Sequence, residues 1–450
     1  MQVRVVLRIS LMSLALLFPF LVAPLAQAQS ANEYVAGEIV IKLFNSADLP
    51  AVAGQYNLSL PPLDQFGTRP IYRLRMSDGA DPQVKAEQIK PSGGGGDARV
   101  EFAEPNYLAQ TPEGRRGRSR WVIGGDAGTY ATQWTPQKLR LSEAHAISRG
   151  AGVVVAVLDT GVDMSHPVLA GRLVPGFDFV DFDAIPQEEG SAGVNAGYGH
   201  GTHVAGLVAL VSPEAQIMPI RVLDRDGVGN IWVLAEGLRY AVDPDGDPNT
   251  NDGAGVINLS LGTLRRTQLL EQIVAEVACV NDDDNGDDDD DGDDDDDRCR
   301  TTGGAVVVAA AGNGGDSTPQ YPAAEVVDGV VAVAASTRFD TLAGFSTRGS
   351  WVRISAPGDQ VISTVPGGAY ATWSGTSMAA PHVAGVAALL RAYQPGLNAI
   401  DVAQRLITTA QPICAPAPDR LDAAATLGLG TRPYVCSATA IYLPLTANPM

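Results

Sequence analysis

The sequence predicts an α/β protein with a mostly parallel sheet flanked by helices, preceded by a small α+β domain. Three observations carry this expectation. From about residue 121 onward, short continuous apolar runs recur, beginning with Val153-Val154-Val155-Ala156-Val157-Leu158; strands buried on both faces read this way. Helical stretches separate these runs, as parallel strands need crossover connections. Before residue 121 the strand-like segments alternate in polarity instead, as strands with one wet face do.

In chain order, residues 1–28 have the form of an export leader. Arg4 and Arg8 precede an apolar core from Leu11 to Ala23, and Ala26-Gln27-Ala28 matches a small-residue cleavage site. The core is too short to span a bilayer comfortably, so no stable membrane insertion is expected; a retained anchor is the alternative. Residues 29–112 form the small domain. Its strands are expected at Glu38-Ile39-Val40-Ile41-Lys42-Leu43, at Ile71 to Arg75 and at Arg99 to Tyr107, with a short helix over 82–90. The stretch Pro112 to Arg120 carries Arg115, Arg116, Arg118 and Arg120 and reads as an exposed linker and processing site.

The larger domain is expected over residues 113–437, followed by a tail at 438–450. Further buried strands are expected at Ile217 to Leu223, Gly255 to Leu261, Ala305 to Ala310 and Val330 to Ala335. Helices are expected over 201–211, 231–241, 266–279, 378–392 and 399–409. Ligands of such sheets sit at the carboxyl ends of the strands. Asp159 follows the first strand there, and Asn313 follows the fourth. Ser377 lies in Ser374-Gly375-Thr376-Ser377-Met378-Ala379-Ala380-Pro381, where small residues let a substrate backbone approach. The helix start beside it offers free N–H groups to a developing negative charge. Pro381 is expected in the first turn, where few N–H groups have a partner to lose.

The chain carries a net charge of −20, and thirteen aspartates in the segment 282–297 account for most of it. No basic patch is present, so nucleic acid is not an expected partner. Export makes the four cysteines readable as two disulfides. Proximity favours Cys279 with Cys299 and Cys414 with Cys436, although three pairings are open. The acidic run forms an insertion at 279–299. Asp287, Asp289, Asp291 and Gly292 fall at positions 1, 3, 5 and 6 of a calcium-loop pattern, but no Glu closes it. A solvated acidic loop fits equally, since poly-Asp matches such a spacing somewhere. Asp243 to Asp252 is a second acidic candidate and could as well be a plain turn.

The blocks Asp159-Thr160-Gly161, His200-Gly201-Thr202-His203 and Gly375-Thr376-Ser377-Met378-Ala379-Ala380-Pro381, in that order, resemble the subtilisin-like serine proteases over roughly residues 120–430. The resemblance implies a subtilisin-like fold and a triad. Ser377 would be the nucleophile, His200 its general base and Asp159 the residue that orients the base. It implies Asn313 as side-chain donor to the oxyanion and His203 as structural. Ser260-Leu261-Gly262 resembles the segment that pairs with substrate as an added strand; Tyr321-Pro322 and the run Ala309 to Gly314, which holds Gly312, are expected to border the pocket before the cut, with Gln320 near its floor.

The N-terminal unit resembles the family's propeptide, an inhibitor and folding aid removed by self-cleavage between about 111 and 121. The function expected is thus a secreted, extracellular serine endopeptidase, a monomer that acts on polypeptides and is inhibited by its own propeptide. No cofactor is expected for the chemistry, and calcium enters only as a structural ion. The alternative is a catalytically silent, calcium-dependent binding or surface protein on the same fold. Calorimetry with calcium before and after deletion of residues 282–297 decides between the two: a calcium site in the loop gives a binding heat that the deletion removes, and binding unchanged by the deletion excludes the loop.

Overall fold

The computed structural model describes residues 33–90, 96–114, 122–247, 250–280, 299, 302–414 and 417–433. The leader, the arginine-rich stretch 115–120, the calcium-loop positions Asp287, Asp289 and Asp291, Cys436 and the tail 438–450 lie outside the described residues. Cys279 is joined to Cys299 in a disulfide, as proximity suggested.

The N-terminal unit runs β1 (Tyr34–Leu43), α1 (Leu49–Tyr56), β2 (Asp64–Gln65), β3 (Ile71–Arg75), α2 (Pro82–Ile89) and β4 (Val100–Gln110). Asp81 starts α2 by accepting the N–H groups of Gln83 and Val84, and Pro82 supplies a preset φ in the first turn. The alternation in β1 sends Ile39, Ile41 and Leu43 to a core shared with Val52 of α1 and Ile89 of α2. Helix α1 goes beyond the sequence expectation; its eight residues include Pro50 and Gly54, and contacts of Val52 and Ala53 with that core hold it.

The larger part begins with β5 (Val122–Ile123) and the short helices α3 (Ala127–Thr132), α4 (Trp134–Lys138) and α5 (Leu141–Ala144). There follow β6 (Val154–Asp159), β7 (Phe177–Asp178), α6 (His200–Val211), β8 (Gln216–Arg221), β9 (Val228–Asn230) and α7 (Ile231–Val242). The chain continues through β10 (Val256–Leu259), α8 (Gln268–Ala278), β11 (Val306–Ala310), β12 (Val330–Ser336) and β13 (Ile354–Pro357). It ends with β14 (Val361–Val365), β15 (Ala369–Trp373), α9 (Thr376–Tyr393) and α10 (Ala399–Thr408), among the elements used below.

Seven strands form one sheet in the order β13-β12-β11-β10-β6-β8-β7, every neighbouring pair parallel. Alternation within its apolar runs divides the residues between two cores. Val155, Val157, Val306 and Val308 face α6 and α9, while Ala156, Leu158 and Val307 face α7 and α8. This fits the α/β class read from the sequence. A second sheet, β14-β15-β5, is antiparallel and was not foreseen; its hairpin turns at Gly367-Gly368, both at positive φ.

The N-terminal sheet has the order β2-β3-β1-β4-β9, so its last strand comes from the larger part of the chain. Glu104 of β4 accepts the N–H groups of Gln268 and Leu269 at the start of α8, at 2.8 and 3.1 Å. Asn106 accepts the N–H of Trp232 in α7 at 3.3 Å. Two helix starts of the larger part are thus capped by side chains of the small one.

Helices α6 and α9 cross with no room to spare at Gly385, where an added Cβ would lie 2.6 Å from Val211 Cβ. Gly385→Val should lower stability by about 1–3 kcal/mol through overpacking. The measurement is the guanidinium midpoint of a precursor also carrying Ser377→Ala to prevent self-digestion; an unchanged midpoint contradicts the packing argument.

Candidate active site

Three chain-distant residues meet at the carboxyl edge of the parallel sheet. Asp159 is the last residue of β6, His200 the first of α6 and Ser377 the second of α9. All three are buried. His200 Nδ1 donates to Asp159 Oδ1 at 2.7 Å, and the Thr160 N–H donates to the same oxygen at 2.8 Å. That bond fixes the ring so that Nε2 faces the serine side.

Ser377 is placed by α9, but the proline is not where the sequence suggested. The helix starts at Thr376, so Pro381 lies in its second turn. Lacking an N–H, Pro381 leaves the Ser377 carbonyl, four residues before it, without its helical partner. The Ser260 hydroxyl takes that carbonyl at 3.0 Å, and the Ser260 carbonyl lies 3.2 Å from Ser377 Oγ. Ser260 therefore braces the Ser377 backbone with its own side chain, a role its motif did not announce.

Asn313 lies three residues beyond β11. Its Oδ1 accepts from the Thr376 N–H at 2.9 Å and from the Thr376 hydroxyl at 3.0 Å, which turns its NH2 group toward Ser377. Gly312 donates to the Thr376 hydroxyl at 3.1 Å. Buried Gln320 stands between Gly262 and Gly312: an added Cβ on either glycine would lie 2.7 Å from an atom of its amide. The side chain of Leu261 is fully buried in the core, so only its backbone borders the cleft. His203 stacks on Trp373 with ring centroids 4.7 Å apart, and its Nε2 lies 3.2 Å from the Ala371 carbonyl. Burial pulls its imidazole down to about 3, which keeps it neutral.

The cleft is filled by the chain itself. Gln110, at the end of β4, exchanges both backbone hydrogen bonds with Gly262, at 2.9 and 3.0 Å. On the other side Leu108 to Gln110 pair with β9, and the Thr111 N–H reaches the Gly227 carbonyl at 3.2 Å. Beyond them Glu113 turns inward. The Ser377 hydroxyl donates to Glu113 Oε2 at 2.7 Å, His200 Nε2 lies 3.3 Å from the same oxygen, and Asn313 Nδ2 donates to Oε1 at 2.8 Å. Gly375 makes room, since an added Cβ there would lie 1.8 Å from Glu113 Oε1.

Electrostatics follow from this packing. Burial would push the Glu113 carboxyl up, but hydrogen bonds from His200, Ser377 and Asn313 hold it below the usual carboxylate range. Burial pulls the His200 imidazolium down, yet Asp159 and Glu113 outweigh it and push it up to about 10. The imidazole is then a cation between two anions, with no free lone pair on Nε2. Sequence reasoning missed Glu113: it stands singly in Pro112-Glu113-Gly114, and nothing local marks a turn glutamate as a guest in a distant site.

Two other expectations concern metal. Asp287, Asp289 and Asp291 fall outside the described residues. In the second acidic stretch Asp243, Asp245 and Asp252 bring carboxylate oxygens within 4.8 Å of one another. Among the described residues no helix is long and apolar enough to cross a membrane.

Comparison with known proteins gives the following. The Peptidase_S8 model, described as the subtilase family, matches residues 150–430. The thermophilic serine proteinase of Bacillus sp. (strain AK1) is 33% identical over 441 residues, covering 92% of this chain and 95% of that protein. Thermitase of Thermoactinomyces vulgaris is 39% identical over 291 residues, 62% of this chain and 89% of that one. The crystal structure of fervidolysin from Fervidobacterium pennivorans, a keratinolytic enzyme related to subtilisin, covers 88% of this chain and 61% of its own at a TM-score of 0.65. At 23% identity that last match bears on the fold alone.

In a Ser377→Ala precursor, His200 should stay protonated to about pH 10 when followed by NMR. Adding Glu113→Gln removes one flanking anion and should lower that value by about 1–3 units. A His200 already neutral at pH 8 in the unaltered precursor site would contradict the ion triad.

Proposed function

Since the chain belongs to the subtilase family and is a serine endopeptidase, we propose that it cuts polypeptides through an acyl-enzyme on Ser377 and is made as a secreted, self-processed precursor. The observation that carries this reading is the convergence of Ser377, His200 and Asn313 on one carboxylate, with Asp159 behind the imidazole. A carboxylate with one oxygen on the nucleophile and one on an amide donor resembles a cleavage product at rest.

With Glu113 withdrawn, His200 Nε2 regains its lone pair and takes the Oγ proton as Ser377 attacks a carbonyl carbon. Asp159 keeps the imidazole in the right tautomer and stabilises the imidazolium. The negative charge moves to the former carbonyl oxygen, where Asn313 Nδ2 and the N–H of Ser377 at the start of α9 receive it. His200 then protonates the departing amine. Water repeats the sequence on the ester, with His200 again as base, and releases the acid and the serine hydroxyl.

The substrate lies as an antiparallel strand between Gly262 and β9, in the place Gln110 and its neighbours take in this structure. A broad or apolar preference is supported by the lack of a charged residue in Ala309 to Gly314 and Tyr321-Pro322, while the Gln320 amide between Gly262 and Gly312 adds a polar group there. Residues 29–112 act as a propeptide that inhibits the enzyme. The support is its shared sheet with β9, its caps on α7 and α8, and Glu113 just beyond its end. Removal follows a cut between about 111 and 121. Secretion is supported by the leader pattern ending at Ala28.

A fluorophosphonate should label Ser377 in the processed protein and fail to label the precursor. Ser377→Ala should remove about 10⁶ of kcat, the scale known for a subtilisin nucleophile. Asn313→Ala should remove about 10²–10³, the scale known for a subtilisin oxyanion asparagine. Sequencing of active secreted enzyme should find a start between 112 and 121; a start at residue 29 sinks the propeptide reading, and unlabelled, processed, folded protein sinks the enzyme reading.

A further inference from the structure

A third carboxylate lies next to the segments that carry Asp159 and His200. Glu188 is 6% exposed and belongs to none of the sequence blocks that mark the site. Its backbone is pinned to the loop after Asp159: the Glu188 N–H donates to the Val162 carbonyl at 2.8 Å, and the Val162 N–H donates to Pro186 at 3.0 Å. Its side chain bridges the two elements that carry Asp159 and His200. Oε1 receives the Thr160 hydroxyl at 2.7 Å, from the residue next to Asp159. Oε2 receives the Thr202 N–H at 3.0 Å and the Thr202 hydroxyl at 2.9 Å, from the first turn of α6.

The Thr160 hydroxyl has one proton and two acidic neighbours. Its oxygen lies 2.7 Å from Glu188 Oε1 and 3.3 Å from Asp159 Oδ1, and it also accepts the Gly201 N–H at 3.0 Å. When Glu188 is ionised, the hydroxyl points to Glu188, and Asp159 Oδ1 keeps more of its electron density for His200. When Glu188 is protonated, its O–H donates to Thr160, whose own proton then turns to Asp159. That competes with the His200 bond to the same Asp159 oxygen.

Resting on the assignment of Asp159 and His200 to the triad, we infer that Glu188 is a positioning residue that clamps their two loops and tunes the base through the Thr160 hydroxyl. The titratable groups facing this cluster are Asp159 on β6, Asp163 after it, Tyr198 before α6 and His200 itself. Burial, with Asp159 nearby, pushes the Glu188 carboxyl up to about 8, within the range in which a protease is assayed.

The test is the pH profile of kcat/KM for enzyme matured from the full-length precursor. The unaltered enzyme should show, beyond the His200 ionisation, a further rise near pH 8 as Glu188 ionises. Glu188→Gln should lose that second rise, because the amide NH2 donates to Thr160 and holds its proton on Asp159. Its kcat should fall by about tenfold with KM little changed. Thr160→Val, of nearly the same shape, should lose the rise with Glu188 still present, and Thr160→Ser should keep it. Thr160→Val carries the test if Glu188→Gln does not fold. A single ionisation in the unaltered enzyme, or variant profiles that superimpose on it whatever their activity, overturns the inference. Fluorophosphonate labelling of Ser377 separates the two levels: it should persist in every variant, and its failure in the unaltered enzyme removes the triad reading itself.

Discussion

One buried hydrogen bond, from His200 Nδ1 to Asp159 Oδ1, sets the geometry around it. It joins the end of a strand to the start of a helix, 41 residues apart in the chain. Both partners are sealed from water, so the attraction is not screened, and breaking it would leave a buried charge without its partner. The parallel sheet makes this bond cheap to hold. Its strands are filled with Val and Ala on both faces and tolerate helices close on either side. The polar groups are expelled to the carboxyl edge, where loops from β6, β10 and β11 and the starts of α6 and α9 meet.

The structure is that of a chain whose site is already occupied from within. The N-terminal unit adds β4 to β9, caps two helices of the larger part and ends beside Ser377. Strand pairing alone would hold a substrate and a self-segment equally well. Glu113 adds more than strand pairing, since its charge puts His200 in the middle of an anion–cation–anion row. Occupancy of the cleft and protonation of His200 thus come from the same carboxylate. Glu188 joins the residues next to the same pair, Thr160 beside Asp159 and Thr202 two residues after His200.

Much of this could be read before the fold was known. The runs around Val155, Val307 and Val331 announced buried strands because a parallel strand has no wet face to declare. The blocks around Asp159, His200 and Ser377, which the structure brings together, stood out because small residues at strand ends and helix starts leave a local mark. Asn313 was legible for the same reason, before a glycine at a strand end. Elements without a strong period were missed: α1, the short helices α3 to α5, and the sheet β14-β15-β5, all held by contacts rather than by pattern.

The sequence by itself determined the class of fold, the order of its main elements and the blocks whose residues Asp159, His200 and Ser377 the structure brings together. Each of these is a local property, encoded in periodicity or in a few adjacent residues. Tertiary structure alone decided which solitary polar residues join them. Glu113 reaches a serine 264 residues away, Ser260 completes the carbonyl that Pro381 leaves free, and Glu188 clamps two threonines from different elements. No pattern along the chain predicts these, because a carboxylate or hydroxyl looks the same in a solvated turn as in a buried site. What distinguishes them is the loss of water and the approach of a partner, and both exist only once the chain has closed on itself.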